Sequence, residues 1–561
     1  MKMPKLTFLC IALMLALVMI FAVGCPAAEP DEPTPDEPTP AEPDPEEPAE
    51  PDPDAPKEIT VALTQDPMGL DPTTIQGWNA WTIAENIHDT FLVRHRETGD
   101  LAPGLVTSWD MSNEARQWDL ELRDDVYFHD GTHLDAEAVK LHFERVVAPE
   151  TRSPVAAPLL GGRLEEVEIL GDYSLRFHFN ESFLAFGDAL ASGPLSPVSP
   201  TAVQEKGEDI TNEPVGTGPF MFEEWVDGSH ISIVRNPDYA WAPDGKYLES
   251  GPAKLEKITF QLVLEGPVAA EMVMSGDVDG VYMTPDAMVP AVESHSDVSA
   301  WEIARPGTSS MWHFNTQHEP TDDVRVRQAL FHAIDPEEVN LIVYDGVRQL
   351  ATGVIGPLTP GFREDFHYRD VYPIDLGKAA ELLDEAGWEL DESDNRRYKD
   401  GDSLELVHIC FPGHGSEAAE VVQSQLERVG IFQEVRAMDN PGNVEATQAG
   451  EHHIRSIGWG GTDISGLLHM LYHPDEAGVG WNFNFNQDEV LINLIEEAER
   501  SIDADEQVDL VQQAEDRIFE MAFTLPFNNY VHFFSHNNRL AGLIQTAGDR
   551  YPLFKDVVWT Q

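Results

Sequence analysis

From residue 57 onward the chain alternates between two hydrophobic periods. Glu58–Leu63 (EITVAL) alternates polar and apolar residues and predicts a first strand, and Trp118–Leu122 and Leu255–Leu262 repeat that pattern. Phe220–Trp225 and His230–Val234 predict a hairpin joined through Asp227-Gly228. The 3.6-residue period marks helices at Trp78–His88, Asp135–Val147, Val324–Ile334, Asp375–Trp388, Ser416–Val429, Asp488–Arg500 and Ala504–Met521. In one of them Val326, Leu330 and Ile334 form a single apolar stripe. Asp135 is placed to cap its helix. Asp335 is placed to cap another, with Pro336 at its first position and Glu337 and Glu338 in its first turn. Gly387 and Gly430 stand where two helices must stop. Ala270–Val281 reads as a helix, a glycine stop and then Asp279-Gly280-Val281, and Leu404–Ile409 is a strand feeding the next helix. Strands alternating with helices predict an α/β fold with its functional groups on loops at strand ends.

The first 56 residues break this pattern. Lys2 and Lys5 precede Leu6–Val23, an apolar run long enough to span a bilayer. The run ends in Ala22-Val23-Gly24-Cys25, small residues directly before a cysteine, and so resembles a bacterial lipoprotein signal. That resemblance implies a lipoprotein signal peptide over residues 1–25, its leader removed ahead of Cys25, a diacylglycerol on Cys25, and a lipid-anchored protein on the extracytoplasmic face of the cell membrane. The alternatives are a plain signal peptide or a retained anchor. Pro26–Pro56 alternates proline with acids, holding 12 Pro and 12 acidic residues and no base. Such a segment cannot bury a core. Ring stiffness and like-charge repulsion extend it toward polyproline II at ~3.1 Å per residue, a tether of up to ~90 Å.

Charge narrows the class further. The 561 residues carry a net charge of −65, and from Lys57 on there remain 88 acidic against 33 basic residues. A surface of this kind repels nucleic acid and anionic lipid, and predicts no nucleic-acid partner. It suits a high-salt habitat, where the Debye length shrinks to ~3 Å at 1 M; an acidic protein of an ordinary host is the plainer alternative. The length suits two or three lobes. Of three cysteines only Cys410 lies in the folded part, so neither an internal disulfide nor a cysteine metal site is open to it.

Glu213–Trp241 carries the most specific pattern. V-G-T-G-P-F is followed, across the predicted hairpin, by R-N-P-D-Y-A-W. This stretch closely resembles the signature of family 5 extracytoplasmic solute-binding proteins, the peptide, oligopeptide and nickel receptors of ABC importers. Other blocks agree: Pro103-Gly104-Leu105, Trp109 and Phe128–Thr132 (FHDGT); Met311–Asn315 (MWHFN); and Val324–Ile334 (VRVRQALFHAI) leading into Asp335. The resemblance implies a periplasmic-binding-protein-like α/β fold of two large lobes with a hinge, lobe one bearing an extra subdomain. Its expected layout is the leader 1–25, the tether 26–56, lobe one 57–309, lobe two 310–524 and a return to lobe one over 525–561, with Leu525-Pro526-Phe527 and Val531–Phe534 forming the return strand. It also implies ABC permease subunits as partners and binding without bond chemistry, hence no catalytic residue and no cofactor.

By the same resemblance the ligand lies between the lobes. Peptide receptors carry a G-W-x-x-D-like run whose Asp pairs with the ligand ammonium. Gly458–Asp463 (GWGGTD) is similar but places the Asp one residue later. Asp463, Trp459, Gly460 and Thr462 are the implied ligand-binding residues; a strand-end turn with a capping Asp is the plainer reading. Dipeptide receptors place an Arg after the strand read here at Leu404–Ile409, yet Cys410–Glu427 holds no Arg or Lys, which favours oligopeptides. A nickel chelate or another small solute such as an oligosaccharide is the alternative ligand. His469 and His473 keep metal open, whereas Gly193–Pro200 lacks the Arg of the nickel receptors. His129 and Asp130 invite a catalytic reading, but in F-H-D-G-T they read as a structural turn with no third metal ligand nearby. A secreted hydrolase using paired carboxylates is the rival of another class, and no nucleophile or zinc-hydrolase motif supports it.

Overall fold

In a computed structural model of the chain, the described residues are 56–561 apart from 76, 96–98, 244, 462 and 545–550. The leader, Cys25, the tether up to residue 55 and Thr462 lie outside them. Among the described residues no helix is long and apolar enough to cross a membrane.

Three sheets carry the fold. The main strands are β1 (Glu58–Leu63), β2 (Val106–Ser112), β3 (Gln117–Leu122), β4 (Leu164–Gly171), β5 (Ser174–Phe179), β6 (Phe220–Val226), β7 (His230–Arg235), β8 (Lys257–Leu262), β9 (Gly280–Tyr282), β10 (Val298–Ala304), β11 (Ser310–Phe314), β12 (Glu405–Cys410), β13 (Phe432–Ala437), β14 (Ile454–Ile457), β15 (Thr524–Asn528) and β16 (Val531–Asn537). A seven-stranded mixed sheet runs β10-β16-β9-β1-β8-β7-β6, with β1 parallel to both β8 and β9. A five-stranded mixed sheet runs β13-β12-β14-β11-β15, with β12 parallel to β13 and β14. The third sheet is antiparallel, in the order β2-β3-β5-β4.

Each sheet has its own core. Val61, Leu63, Ile258, Phe260 and Phe534 fill the seven-stranded one. Trp118, Phe143, Phe177 and Phe186 fill the four-stranded one. In the five-stranded one Val326 and Leu330 of helix Val324–Ala333, with Ile334 just beyond it, are fully buried, so the predicted stripe is the buried face. The predicted caps form: Asp135 accepts from Ala138 N at 2.9 Å, and Asp335 from Glu337 N at 2.9 Å. The helix expected to open at Ala270 spans Gly266–Ser275 and stops at Gly276, whose φ of 79° is left-handed.

The chain passes between the large sheets twice, from β10 to β11 and from β15 to β16. The segment expected as one return strand is therefore two. Leu525, Pro526 and Phe527 pair with β11 in the five-stranded sheet, while Val531–Asn537 pairs with β10 and β9 in the seven-stranded sheet. Pro526 is tolerated because β15 is an edge strand.

Candidate functional site

The G-W-G-G run follows β14 and is zipped to the first crossing segment. Thr308 N donates to the Trp459 carbonyl at 2.8 Å, and Trp459 N donates to Thr308 Oγ1 at 2.9 Å. Gly461 N donates to the Pro306 carbonyl at 3.1 Å, and Gly307 bridges Gly460. Glycine is required at 307, where φ is 125° and a Cβ would run into the Trp459 carbonyl oxygen. Arg305 lies over the rings of Trp78 (4.0 Å) and Tyr530 (5.1 Å), so residues of both halves meet at this crossing.

An aromatic row leads away from it. Trp459 meets Trp481 at 4.7 Å between ring centroids, and Trp481 meets Phe483 at 5.9 Å. Phe483 and Phe411 then flank Arg455, whose guanidinium carbon lies 5.3 and 4.9 Å from their centroids. Arg455 is a β14 residue, opposite His313 of β11 and Ile409 of β12. It is 2% exposed, and its Nε and Nη1 have no hydrogen-bond partner among the described residues. Burial lowers its pKa to about 10, so it remains a cation at neutral pH. Sequence reasoning missed this residue. The available signal was a lone Arg inside the strand segment H-I-R-S-I-G, in a chain where Arg and Lys are scarce.

Arg455 sits among neutral histidines. Burial above all, with help from its charge, lowers His408 to about 3; burial, His452 and Arg455 hold His313 at about 3. Burial also pushes the Cys410 thiol up to about 11, and Cys410 is a free cysteine.

Asp463 is the N-cap of helix Ile464–Tyr472, and its Oδ1 accepts from Gly466 N (3.0 Å) and Ser465 Oγ (2.9 Å). His469 and His473 at the other end of that helix stack at 4.1 Å and 11°. Their ring nitrogens reach Glu499 (2.8 Å) and Glu496 (3.4 Å) on helix Glu489–Arg500. Among the described residues no group of three or more His, Cys, Asp or Glu could hold a metal ion. Thr462 lies outside the described residues.

His129 and Asp130 have structural partners. His129 Nε2 contacts the Gly218 carbonyl at 3.0 Å, and the backbone N–H of His129 donates to the Gly216 carbonyl at 2.9 Å. Asp130 accepts from Ser199 Oγ at 2.5 Å. A surface hollow of about 700 Å³ lies elsewhere, by Asp66, Glu213, Glu223, Glu224 and Asp227. Its lining holds no cation, so it offers nothing to an anionic solute.

Residues 100–478 match the profile of the bacterial extracellular solute-binding proteins, family 5. The chain belongs to that family. Its members are extracytoplasmic substrate-binding proteins of ABC importers rather than enzymes. The family 5 chain is 25% identical over 497 residues to the glutathione-binding protein GsiB of Escherichia coli (strain K12), covering 87% of this chain and 92% of that one. It is 26% identical over 488 residues to di/tripeptide-binding protein 1 of Pseudomonas aeruginosa, covering 80% and 84%. Its fold is similar to that of DppA from Helicobacter pylori in complex with the peptide STSA (TM-score 0.71, 23% identity, 90% and 98% covered). It is also similar to NikA from Brucella suis in complex with Fe(III)-EDTA (TM-score 0.78, 22% identity, 90% and 99% covered).

Proposed function

We propose that this importer receptor captures short peptides with free termini, held between an anionic and a cationic end. Arg455 carries the reading. A buried guanidinium with two nitrogens lacking an acceptor is costly, and a carboxylate is the natural partner for it. It closes one end of the Trp459–Trp481–Phe483 row; Asp463 follows the other end. Both cap bonds of Asp463 end on Oδ1, leaving Oδ2 to accept from a ligand ammonium. Trp459 and Gly460 then line the ammonium end. Taken alone, the absence of a base from Cys410–Glu427 favours oligopeptides. Arg455 of the neighbouring strand brings that charge to the Phe411 ring instead, so a peptide clamped at both ends fits. Glutathione and di- or tripeptides, in the names of the two relatives, carry the same pair of charges.

In this reading Cys25 bears the lipid, residues 26–56 hold the body away from the membrane, and the closed receptor delivers its peptide to permease subunits. The acidic surface suits high salt, and stability is expected to rise with added NaCl as repulsion is screened.

Native mass spectrometry of the purified protein, followed by thermal shifts with a peptide pool in high salt, tests the reading. A co-purified peptide lost on Arg455→Met is the expected result. A bound metal or sugar, with no stabilisation by any peptide, overturns the peptide assignment.

A further inference from the structure

Besides the Arg348–Asp286 pair at 2.7 Å, a further ion pair joins the halves. Arg163, just before β4 of the four-stranded sheet, places its Nη2 3.8 Å from Glu499 Oε1 on helix Glu489–Arg500, in the half built on the five-stranded sheet. Arg163 is held in place from its own side. Its Nε donates to Glu181 at 2.8 Å, and its guanidinium lies 5.0 Å from the Phe183 centroid. The other oxygen of Glu499 meets His469 Nδ1 at 2.8 Å. One carboxylate thus stands between a fixed cation of one half and a titratable imidazole of the other.

We propose that Arg163, Glu499 and His469 form a latch between the halves, graded by pH: Arg163–Glu499 holds the receptor closed, and protonation of His469 loosens it. With His469 neutral, the Glu499 charge is answered across the cleft by Arg163 alone. With His469 charged, two cations share one carboxylate and repel each other. Opening removes Arg163 and leaves the protonated pair intact, so proton uptake accompanies opening.

The other charges around His469 belong to its own half. Asp475 and Glu476 follow its helix; Glu496 is paired with Arg500 and touches His473. Helix Ala504–Glu520 meets this helix through neutral Gln507, which donates to Ser465 Oγ. From the opposite half come Arg163 and the Glu181 it binds. The groups of its own half act on His469 whether the receptor is open or closed; Arg163 acts only when it is closed. Burial alone would lower the His469 pKa. The Glu499 hydrogen bond and the charges of Glu499, Glu476 and Asp475 more than offset that and hold it above 6.5. Closure therefore strengthens as pH rises through the titration of this histidine.

The proposal rests on the halves opening and closing, but not on which solute they close upon. The first test needs no ligand: histidine NMR of the purified protein, with the His469 signal identified by its loss in His469→Gln. In Arg163→Gln the proton affinity of His469 should rise about two- to fivefold, the worth of a partly exposed ion pair. An unchanged midpoint overturns the latch. The second test is calorimetry with trialanine from pH 6 to 9. Affinity should gain the same factor in the native protein relative to Arg163→Gln and His469→Gln; the tripeptide's own amine titrates alike in all three. A pH profile identical in the three proteins also overturns it. A raised midpoint with no trialanine binding supports the latch and overturns the peptide assignment instead.

Discussion

The indole Nε1 of Trp241 donates to Oδ2 of Asp89 at 3.1 Å, deep in the half that carries the family signature. Asp89 is fully buried and also accepts from Tyr239 OH (2.9 Å) and Thr217 Oγ1 (3.1 Å). Thr217 belongs to V-G-T-G-P-F, and Tyr239 and Trp241 to R-N-P-D-Y-A-W, so the two halves of the signature converge on one carboxylate. Glycine is needed beside Thr217, because a Cβ at Gly218 would come within 2.6 Å of the Ile87 backbone. His129 ties F-H-D-G-T to the same turn. The signature thus encodes a folding joint.

Removing that carboxylate strands its buried donors. Asp89→Ala is expected to cost about 3 kcal/mol, since each unsatisfied buried polar group costs about 1–3 kcal/mol. Asp89→Asn keeps the volume and one acceptor and is expected to cost less. Urea unfolding in high salt followed by circular dichroism measures both. Wild-type stability in Asp89→Ala would show that the joint is not needed.

Local signals made much of this fold legible. Caps at Asp135 and Asp335 act from within a few residues, and each forms where the sequence places it. The stripe of Val326, Leu330 and Ile334 likewise buries as its period implies. What stayed hidden depends on pairing across long separations. Leu525–Phe527 and Val531–Phe534 look like one strand because nothing within them says that they join different sheets. Arg455 stayed hidden because its unpaired state is a property of strands 40 or more residues apart in the chain, β11 and β12 on either side of β14.

Asp463 offers a clean separation of structure from binding. As an N-cap its side chain is worth about 1 kcal/mol, and Asn caps about as well as Asp. Asp463→Ala should therefore lower both stability and peptide affinity. Asp463→Asn should keep the melting temperature and still lose about tenfold or more in affinity, the worth of a charge-assisted hydrogen bond. Calorimetry and thermal melts on the same samples check this. Wild-type affinity in Asp463→Asn would remove Asp463 from the binding site and leave it as a cap.

Arg455→Met should behave in the opposite sense to an ordinary core mutation. The guanidinium is buried against Phe411 and Phe483, and Met keeps much of that packing. Deleting an unpaired buried charge is expected to leave stability unchanged or raise it. Affinity for peptides with a free carboxylate should fall about 10- to 100-fold, while C-terminally amidated peptides, already lacking that contact, should lose far less. Equal losses for both ligands would assign Arg455 a packing role.

Acid should unfold the protein well before its surface carboxylates titrate. Burial above all lowers His88, His313, His408 and His452 to about 3, and His129 and His142 to about 4. The folded state refuses protons that the unfolded chain accepts below about pH 6.5. The stability these neutral histidines lend is complete above pH 6.5 and is lost as pH falls toward 4 and 3. Each costs about 1.4 kcal/mol per pH unit in that window. Six together would exhaust a typical 5–15 kcal/mol within about two units. The opposing effect, relief of repulsion as carboxylates protonate, begins lower, near their ordinary values of about 4. In high salt that repulsion is already screened, so the histidines should decide the outcome. Denaturant midpoints at pH 7.5, 6.5 and 5.5 should fall steeply between the last two and little between the first two. His408→Gln should flatten the lower limb by about 1.4 kcal/mol per pH unit. A stability unchanged down to pH 5.5 would mean that the buried rings take up protons in place, and would count against their neutral burial.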